Sequence, residues 1–486
     1  MIFLKQLIAF DKSSNIALYL QITNSIIHNI RMGRIRKGLK FPGSRQLAEM
    51  LKVHRKTILA AFDELLAQGW IETIPRKGTF VVKDLPEIKP KKIKAAESTE
   101  SYRTKAGFSF QHKELISFPE KTFQASPLII DDGFPDVRLA PNDLFFREIR
   151  RLGMQSAFKK YFHYGNPKGP DYLLQTLASV LSDTRGLPIT TDNIMITKGA
   201  QMSMYLAAKL LLQPGSNVVV GEPGYFAATI TFQHAGANIH RVPVDALGID
   251  VDAIETLARK KKIALVYVIP HHHQPTTVTL SPERRIRLLE LAAANRFAII
   301  EDDYDYDFHY ASSPLLPMAS LDHHGNVIYI GTLTKTLAPA IRTGFMVAPE
   351  NFINAAAYQR RWVDRQGDNL TEVALAELYR NGTMASHIRK VVKIYHERRD
   401  HFCAMLKQKL GDRISFDIPG GGMSVWATFH HADIKQVAAK AEKKGLLVSD
   451  GRLYNLNKDY NATRLGFASL NLKEQEKAID ILAKCV

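Results

Sequence analysis

From about Pro127 onward, short apolar runs alternate with helical stretches, and this alternation constrains the fold of the chain more than any other feature. The runs are NIMITK, NVVVGEP, ALVYVIP, FAIIEDDY and VIYIGTL, with the helical AQMSMYLAAKLLL directly after the first. Each run is too short for a helix and apolar almost throughout, as a strand buried on both faces must be. Such strands joined by helices predict an α/β unit, a mainly parallel sheet covered by helices. From about Pro349 the pattern turns mostly helical and then gives the strand-like SVWATF and RLGFASL. A smaller C-terminal α+β subdomain is expected there.

The first part of the chain has a different character. Residues 1–95 carry 18 Lys/Arg against 7 Asp/Glu, so +11 of the net +17 sits in a fifth of the chain. Concentrated positive charge of this kind is the footprint of a nucleic-acid module. The stretch IALYLQITNSIIHNIRMG reads as an amphipathic helix ending at Gly33. FPGSRQLAEML reads as a short helix with Ser44 as its N-cap, and VHRKTILAAFDELLAQG as a second helix stopped by Gly69. WIETIPRKGTFVV reads as two short strands around a basic turn. Two helices separated by KVH and followed by a basic hairpin make a winged helix-turn-helix. Arg55, Lys56 and Thr57 in the first turn of the second helix would enter the major groove of double-stranded operator DNA. Arg45 would hold the backbone, and Arg76 and Lys77 at the hairpin tip would reach the minor groove or phosphates.

The boundaries that follow are 1–82 for the DNA-binding domain, 83–126 for a charged and polar linker without clear period, and 127–486 for the α/β domain. No stretch approaches the ~18 apolar residues that span a bilayer, so no membrane role is expected. The N-terminus lacks the features of a signal peptide. The two cysteines, Cys403 and Cys485, suggest no disulfide framework and fit a reducing cytoplasm.

The α/β part offers, in order, the groups that pyridoxal 5'-phosphate (PLP) requires. Gly199, Ala200 and Gln201 stand between a strand and a helix, where free N–H groups suit a phosphate. Tyr225 follows a strand and a Pro-Gly turn, and its ring could stack on the pyridine. Asp302, Asp303 and Tyr304 follow the run FAII, and a carboxylate there could pair with the pyridine nitrogen. Lys335 in GTLTKTLAPAIRTG can form a Schiff base, with Thr332, Thr334 and Arg342 to hold the phosphate. The run His271–His273 does not read as a metal site, because neighbours on an extended segment point to alternating sides.

Both halves resemble known families. Residues 18–81 are similar to the GntR winged helix: GLKFPGSRQLA, HRKTI and RKGTFV match its characteristic stretches, with His54 in place of the usual serine. Residues from about 127 to 486 resemble the fold-type I aminotransferases, through GFPD, YGNPKG, TKGAQ, EPGY, EDDYDYDF, YIGTLTKTLAPAIRTG and RLGFASL. The combination looks most like the MocR/GabR regulators. The resemblance implies Lys335 as the Schiff-base lysine, Asp302 rather than Asp303 as the partner of the pyridine nitrogen, Tyr225 as the stacking ring, and Tyr304 on the phenolic oxygen. It implies Arg342 on the phosphate, Tyr164 reaching the phosphate of the neighbouring subunit in a homodimer, and Arg464 gripping a ligand carboxylate. Gln274 falls where aminotransferases keep an asparagine on the ring oxygen, Ala227 where some members have arginine, and Ser424 where histidine is frequent. The implied function is a PLP-dependent transcription regulator that senses a small amino compound by external aldimine formation. The alternative is an aminotransferase with an accessory DNA-binding domain, and slow side transamination is compatible with either.

Overall fold

Why the basic N-terminal segment folds by itself is visible in its apolar spacing. The computed structural model describes residues 2–14, 16–83, 104–110, 128–310, 315–454 and 458–486. The chain divides into two units, 1–113 and 114–486. In the first, α1 (Ile2–Leu7) and α2 (Leu18–Arg31) precede α3 (Ser44–Leu51), α4 (Arg55–Ala67) and the hairpin of β1 (Ile71–Ile74) with β2 (Gly78–Val81). Ile22, Ile26 and Ile30 recur every fourth residue on α2, and Ile58, Ala61, Phe62 and Leu65 do the same work on α4. These two stripes bury against Leu47 and Leu51 of α3 and against Ile71 and Val81 of the hairpin. The helices, the turn and the hairpin thus match the winged arrangement.

One local reading is corrected. Gly43, not Ser44, is the N-cap of α3, and no side chain caps that helix. The Ser44 hydroxyl instead accepts a hydrogen bond from Arg55 Nε at 3.3 Å, tying α3 to the start of α4. The cap of α4 is His54, whose Nδ1 accepts from the Lys56 amide at 3.2 Å. Imidazole thereby performs here the task for which serine is the commoner choice.

The linker expected over 83–126 lies outside the described residues, apart from Lys83 and 104–110.

The second unit is built on an eight-stranded sheet. Its strands are β4 (Ile194–Thr197), β5 (Asn217–Glu222), β6 (Asn238–Asp245), β7 (Gly248–Ile249), β8 (Ile263–Val268), β9 (Ala298–Asp303), β10 (Val327–Thr332) and β11 (Gly344–Val347). They lie in the order β4-β11-β10-β9-β8-β5-β6-β7. β6, β5, β8, β9 and β10 are mutually parallel, and β11 runs antiparallel between β10 and β4. The central strands β8, β9 and β10 are buried on both faces, which is why they read as unbroken apolar runs. The sequence reading did not identify β6 or β11. β6 has one buried residue, Val242, among half-buried and exposed ones, and β11 is four residues long.

The C-terminal part contains helices Glu350–Arg361, Asn369–Arg380 and Thr383–Leu410, then a small antiparallel sheet of β12 (Ile414–Ser415), β13 (Ser424–Phe429) and β15 (Ala462–Gly466). A separate pair joins β14 (Leu446–Val448) to β3 (Leu128–Ile130) in parallel. That pairing, between residues more than three hundred apart in sequence, brings Asp131–Phe134 beside the site described next.

Candidate functional site

The carboxyl ends of the parallel strands are where open α/β sheets gather ligand-binding groups. Here they bring together Gly199 after β4, Tyr225 after β5, Gln274 after β8, Asp302 at the end of β9, and Thr332 and Lys335 at and after β10.

Lys335 Nζ donates to the Gly133 main-chain oxygen at 3.0 Å and lies 4.1 Å from the Phe134 ring centroid and 5.9 Å from that of Tyr304. Burial lowers its pKa from the ordinary lysine value, while the negative charges of Asp132 and Asp131 oppose the shift. The amine is therefore biased toward its neutral, nucleophilic form.

Asp302 and Asp303 are neighbours on one strand and so face opposite sides of the sheet. Asp303 is fully engaged: Oδ1 is 3.2 Å from His271 Nδ1, and Oδ2 accepts from the Tyr329 hydroxyl at 2.7 Å. Its pKa is depressed, with His271 and Arg185 outweighing burial. Asp302 Oδ2 accepts from the Tyr267 hydroxyl at 2.7 Å, but its buried Oδ1 has no partner among the described residues. Burial raises the Asp302 carboxyl to about 7, against the pull of Tyr267 and with help from Asp303 and Asp305. A buried acceptor left open in this way is costly unless a donor comes to it.

A second cluster surrounds the start of helix Ala200–Leu211. Gly199 caps it with φ +81°, and a Cβ there would meet Arg342 Nη2 at 3.1 Å. The position therefore needs glycine twice over, for its conformation and for the guanidinium packed on it. Arg342 Nη2 donates to the Lys198 main-chain oxygen at 3.2 Å. Nearby on the same loop the Thr332 hydroxyl oxygen accepts from the Thr334 amide at 3.2 Å. Ala200 and Gln201 form the first turn of the helix, whose N–H groups favour an anion.

Tyr225 stands at the N-cap of helix Phe226–His234. Burial raises the pKa of its phenol, and the next cause is the Asp302 charge, so the two groups share one environment. The Tyr304 hydroxyl donates to the His272 main-chain oxygen at 3.0 Å, and Arg464 Nη2 reaches it at 3.4 Å. Arg464 is buried, and its Nε lies 3.1 Å from Asp132 Oδ1. Gln274 Nε2 donates to Asp132 Oδ2 at 2.8 Å. The three histidines are engaged separately: His271 with Asp303, His272 with Asp305 at 2.9 Å, and His273 with the Thr276 hydroxyl at 2.8 Å. Burial, with the Arg464 charge adding to it, lowers His273 to about 3.

Tyr164 stands apart from this cluster. It is 77% exposed, and the Arg365 guanidinium lies 3.9 Å from its ring centroid.

On the N-terminal unit, Arg45, Arg55, Lys56, Arg76 and Lys77 are exposed, and Thr57 is half-buried. Arg55, Lys56 and Thr57 open α4, and Arg76 and Lys77 form the turn between β1 and β2.

Sequence reasoning missed Tyr267, Asp132 and Tyr454. A tyrosine inside the apolar run IALVYVIP was a usable signal, since a buried phenol needs a partner. Asp132 and Tyr454 meet only through tertiary structure, where the Tyr454 hydroxyl donates to Asp132 Oδ1.

PLP is the group this constellation fits. The open Asp302 Oδ1 offers an acceptor for a pyridinium N–H, and the Gly199–Arg342 cradle offers donors for a phosphate.

Residues 134–482 match the family model described as aminotransferase class I and II, and residues 18–81 match that of bacterial regulatory proteins, gntR family. The chain is 29% identical over 470 residues to the uncharacterized HTH-type transcriptional regulator YdfD of Bacillus subtilis, covering 96% of each chain. It is 27% identical over 487 residues to the "Probable rhizopine catabolism regulatory protein MocR" of Rhizobium meliloti, covering 98% of this chain and 95% of the other. Among solved structures, the Pyrococcus horikoshii kynurenine aminotransferase superposes with a TM-score of 0.69 at 30% identity, covering 74% of this chain and 90% of its own.

Proposed function

The chain belongs to the aminotransferase class I and II family, with a gntR-family segment ahead of it, and from that premise we propose that it is a transcription regulator of MocR/GabR type. In this reading residues 1–82 bind operator DNA, 83–126 link, and 127–486 hold PLP, sense a small amino compound and form a two-fold dimer. The observation that carries it is the presence in one chain of an exposed basic helix start and hairpin tip and of a buried lysine–carboxylate site. An enzyme acting alone has use only for the second.

PLP, when bound, supplies a carbonyl that condenses with primary amines and a ring that withdraws electrons from the adjoining carbon. Lys335 would hold it covalently, burial favouring the neutral form of its amine and the charges of Asp132 and Asp131 opposing that shift. Asp302 would accept a hydrogen bond from the protonated ring nitrogen on its open oxygen, and Tyr267 fixes the orientation of that carboxylate. Tyr225 would cover the ring face. Thr332, Thr334, Arg342 and the N–H groups of Gly199, Ala200 and Gln201 would hold the phosphate. Tyr164 would complete the phosphate site of a second subunit, which accounts for an aromatic side chain standing exposed on one protomer. Tyr304 and Gln274 would border the ring oxygen, and Arg464 would border the ligand.

On DNA, Arg55, Lys56 and Thr57 enter the major groove with the N-terminus of α4, Arg45 holds the backbone, and Arg76 and Lys77 reach from the hairpin tip. Ligand acts by favouring one of two dimer states, which requires different affinity for each.

A second reading is a working aminotransferase, favoured by the presence of Lys335, Asp302 and Arg342 together. Two measurements on the same protein decide between them. Protection of DNA upstream of the chain's own coding region, altered by an amine at concentrations that give negligible transamination, supports regulation. Rapid turnover without specific DNA protection would overturn it.

A further inference from the structure

The buried guanidinium of Arg464 already has a carboxylate. Asp132 Oδ1 lies 3.1 Å from Arg464 Nε, and the main-chain oxygen of Asp132 accepts from the same nitrogen at 3.2 Å. The Tyr454 hydroxyl donates to Oδ1, and Gln274 Nε2 donates to Oδ2 at 2.8 Å. Both oxygens are thus held, by groups from three separate parts of the chain. The next residue, Gly133, accepts from Lys335 Nζ at 3.0 Å, and a Cβ on it would lie 3.2 Å from Arg464 Nη2. Asp132 and Gly133 therefore bridge from the reactive lysine to the arginine. That is the span an α-amino acid would have to cover, with its amine at the lysine end and its carboxylate at the arginine.

We propose that Asp132 is a specificity-determining residue that fills the carboxylate place at Arg464 and turns the site toward primary amines with no carboxylate on the amine-bearing carbon. The inference rests on the cofactor reading above. An unpaired buried guanidinium draws in an anion, whereas a paired one does not. An incoming carboxylate would face the half-buried Asp132 as well as Arg464, and like charges brought together at the buried guanidinium oppose binding. It would also have to displace a group that the chain itself holds at high effective concentration. A neutral or cationic substituent meets neither obstacle. Discrimination here works through a built-in repulsive element.

The test uses full-length protein loaded with PLP and follows the visible absorption band of the cofactor. Matched pairs that differ only in the carboxylate are titrated: L-leucine against isoamylamine, and L-lysine against cadaverine. Wild type should reach half-saturation at lower concentration with the amine in each pair. Asp132→Asn, near in shape but uncharged, should move the ratio toward the amino acid by about tenfold or more. Asp132→Ser should do the same with a side chain too short to reach Arg464. In the double variant Asp132→Asn with Arg464→Gln that gain should vanish. Variants that keep the cofactor band and the wild-type melting temperature are folded, and wild-type ratios alone still decide if they do not. The proposal is overturned if wild type prefers the amino acids. It is equally overturned if the Asp132 variants change both ligands of a pair alike, or if cofactor-loaded protein responds to none of the four. Absence of any cofactor band in wild type would instead overturn the cofactor reading.

Discussion

Asp302 and Asp303 are chemically identical, adjacent and both buried, yet they end with opposite tasks. Strand alternation sends one toward His271 and Tyr329 and leaves the other with an open oxygen. The difference predicts a pH signature in cofactor-free protein. Asp302 keeps its proton in the folded state up to about 7, while an unfolded aspartate loses it near about pH 4. The unfolded state sheds the proton first, so this group's contribution to stability is present at low pH and is lost as pH rises from about 4 through about 7. Asp302→Asn cannot ionise and should flatten that loss, which about three pKa units put on the order of 4 kcal/mol, read from denaturant unfolding at about pH 4 and about pH 8. Equal pH slopes in the two proteins would refute the assignment. At Lys335, replacement by Ala should abolish borohydride-trapped cofactor while leaving the fold intact. Peptide mapping checks this, and label on another lysine would sink Lys335 as the attachment point. The resemblance to fold-type I enzymes singled out Lys335 and Asp302, but the partners that give each its character were not legible, because they arrive from other strands.

At the scale of the element, α4 ties its own stability to its contact surface. His54 caps it, and the three residues next in line are those proposed to meet DNA. His54→Ala should therefore cost about 1 kcal/mol of stability, measured by thermal unfolding of the N-terminal unit within the full chain, while His54→Ser should restore it. An unchanged melting profile for His54→Ala would show that the imidazole cap contributes nothing. Arg55→Ala should weaken binding to specific operator by about 1–3 kcal/mol and relax preference at one base. Lys77→Ala should weaken binding to every sequence and lower the salt slope by about one unit. If the two variants lose affinity equally on operator and random DNA, Arg55 is not a base reader. The elements themselves were readable from periodicity, since an apolar residue every third or fourth position can bury only on one face of a helix. The Ser44 cap was misread because a hydroxyl at a helix start has two options, and the choice of Arg55 as partner depends on α3 and α4 crossing.

For the whole molecule, the exposed Tyr164 makes a prediction about assembly. Tyr164→Ala should lower PLP affinity, and so should Lys335→Ala, each for a different reason. Mixed dimers of the two variants should regain one intact site per dimer, because the Lys335→Ala subunit lends its Tyr164 to the neighbour that retains Lys335. Fluorescence titration of PLP against the mixture checks this, and no recovery would place Tyr164 outside the cofactor site.

The division between what the sequence determined and what the tertiary structure decided follows from the range of the interactions. Charge asymmetry, apolar alternation and helix periodicity are local properties, and local backbone physics converts them directly into a basic winged unit and a buried parallel sheet. The family motifs likewise lie within single loops, so the residues in them could be named in advance. What stands in front of Arg464 is another matter. Asp132 reaches it only because β3 pairs with β14, a contact between residues more than three hundred apart, and because β13 pairs with β15 to set Arg464 in its sheet. Nothing near Asp132 in the chain announces the arginine, and the ion pair exists only once the sheets have closed around it.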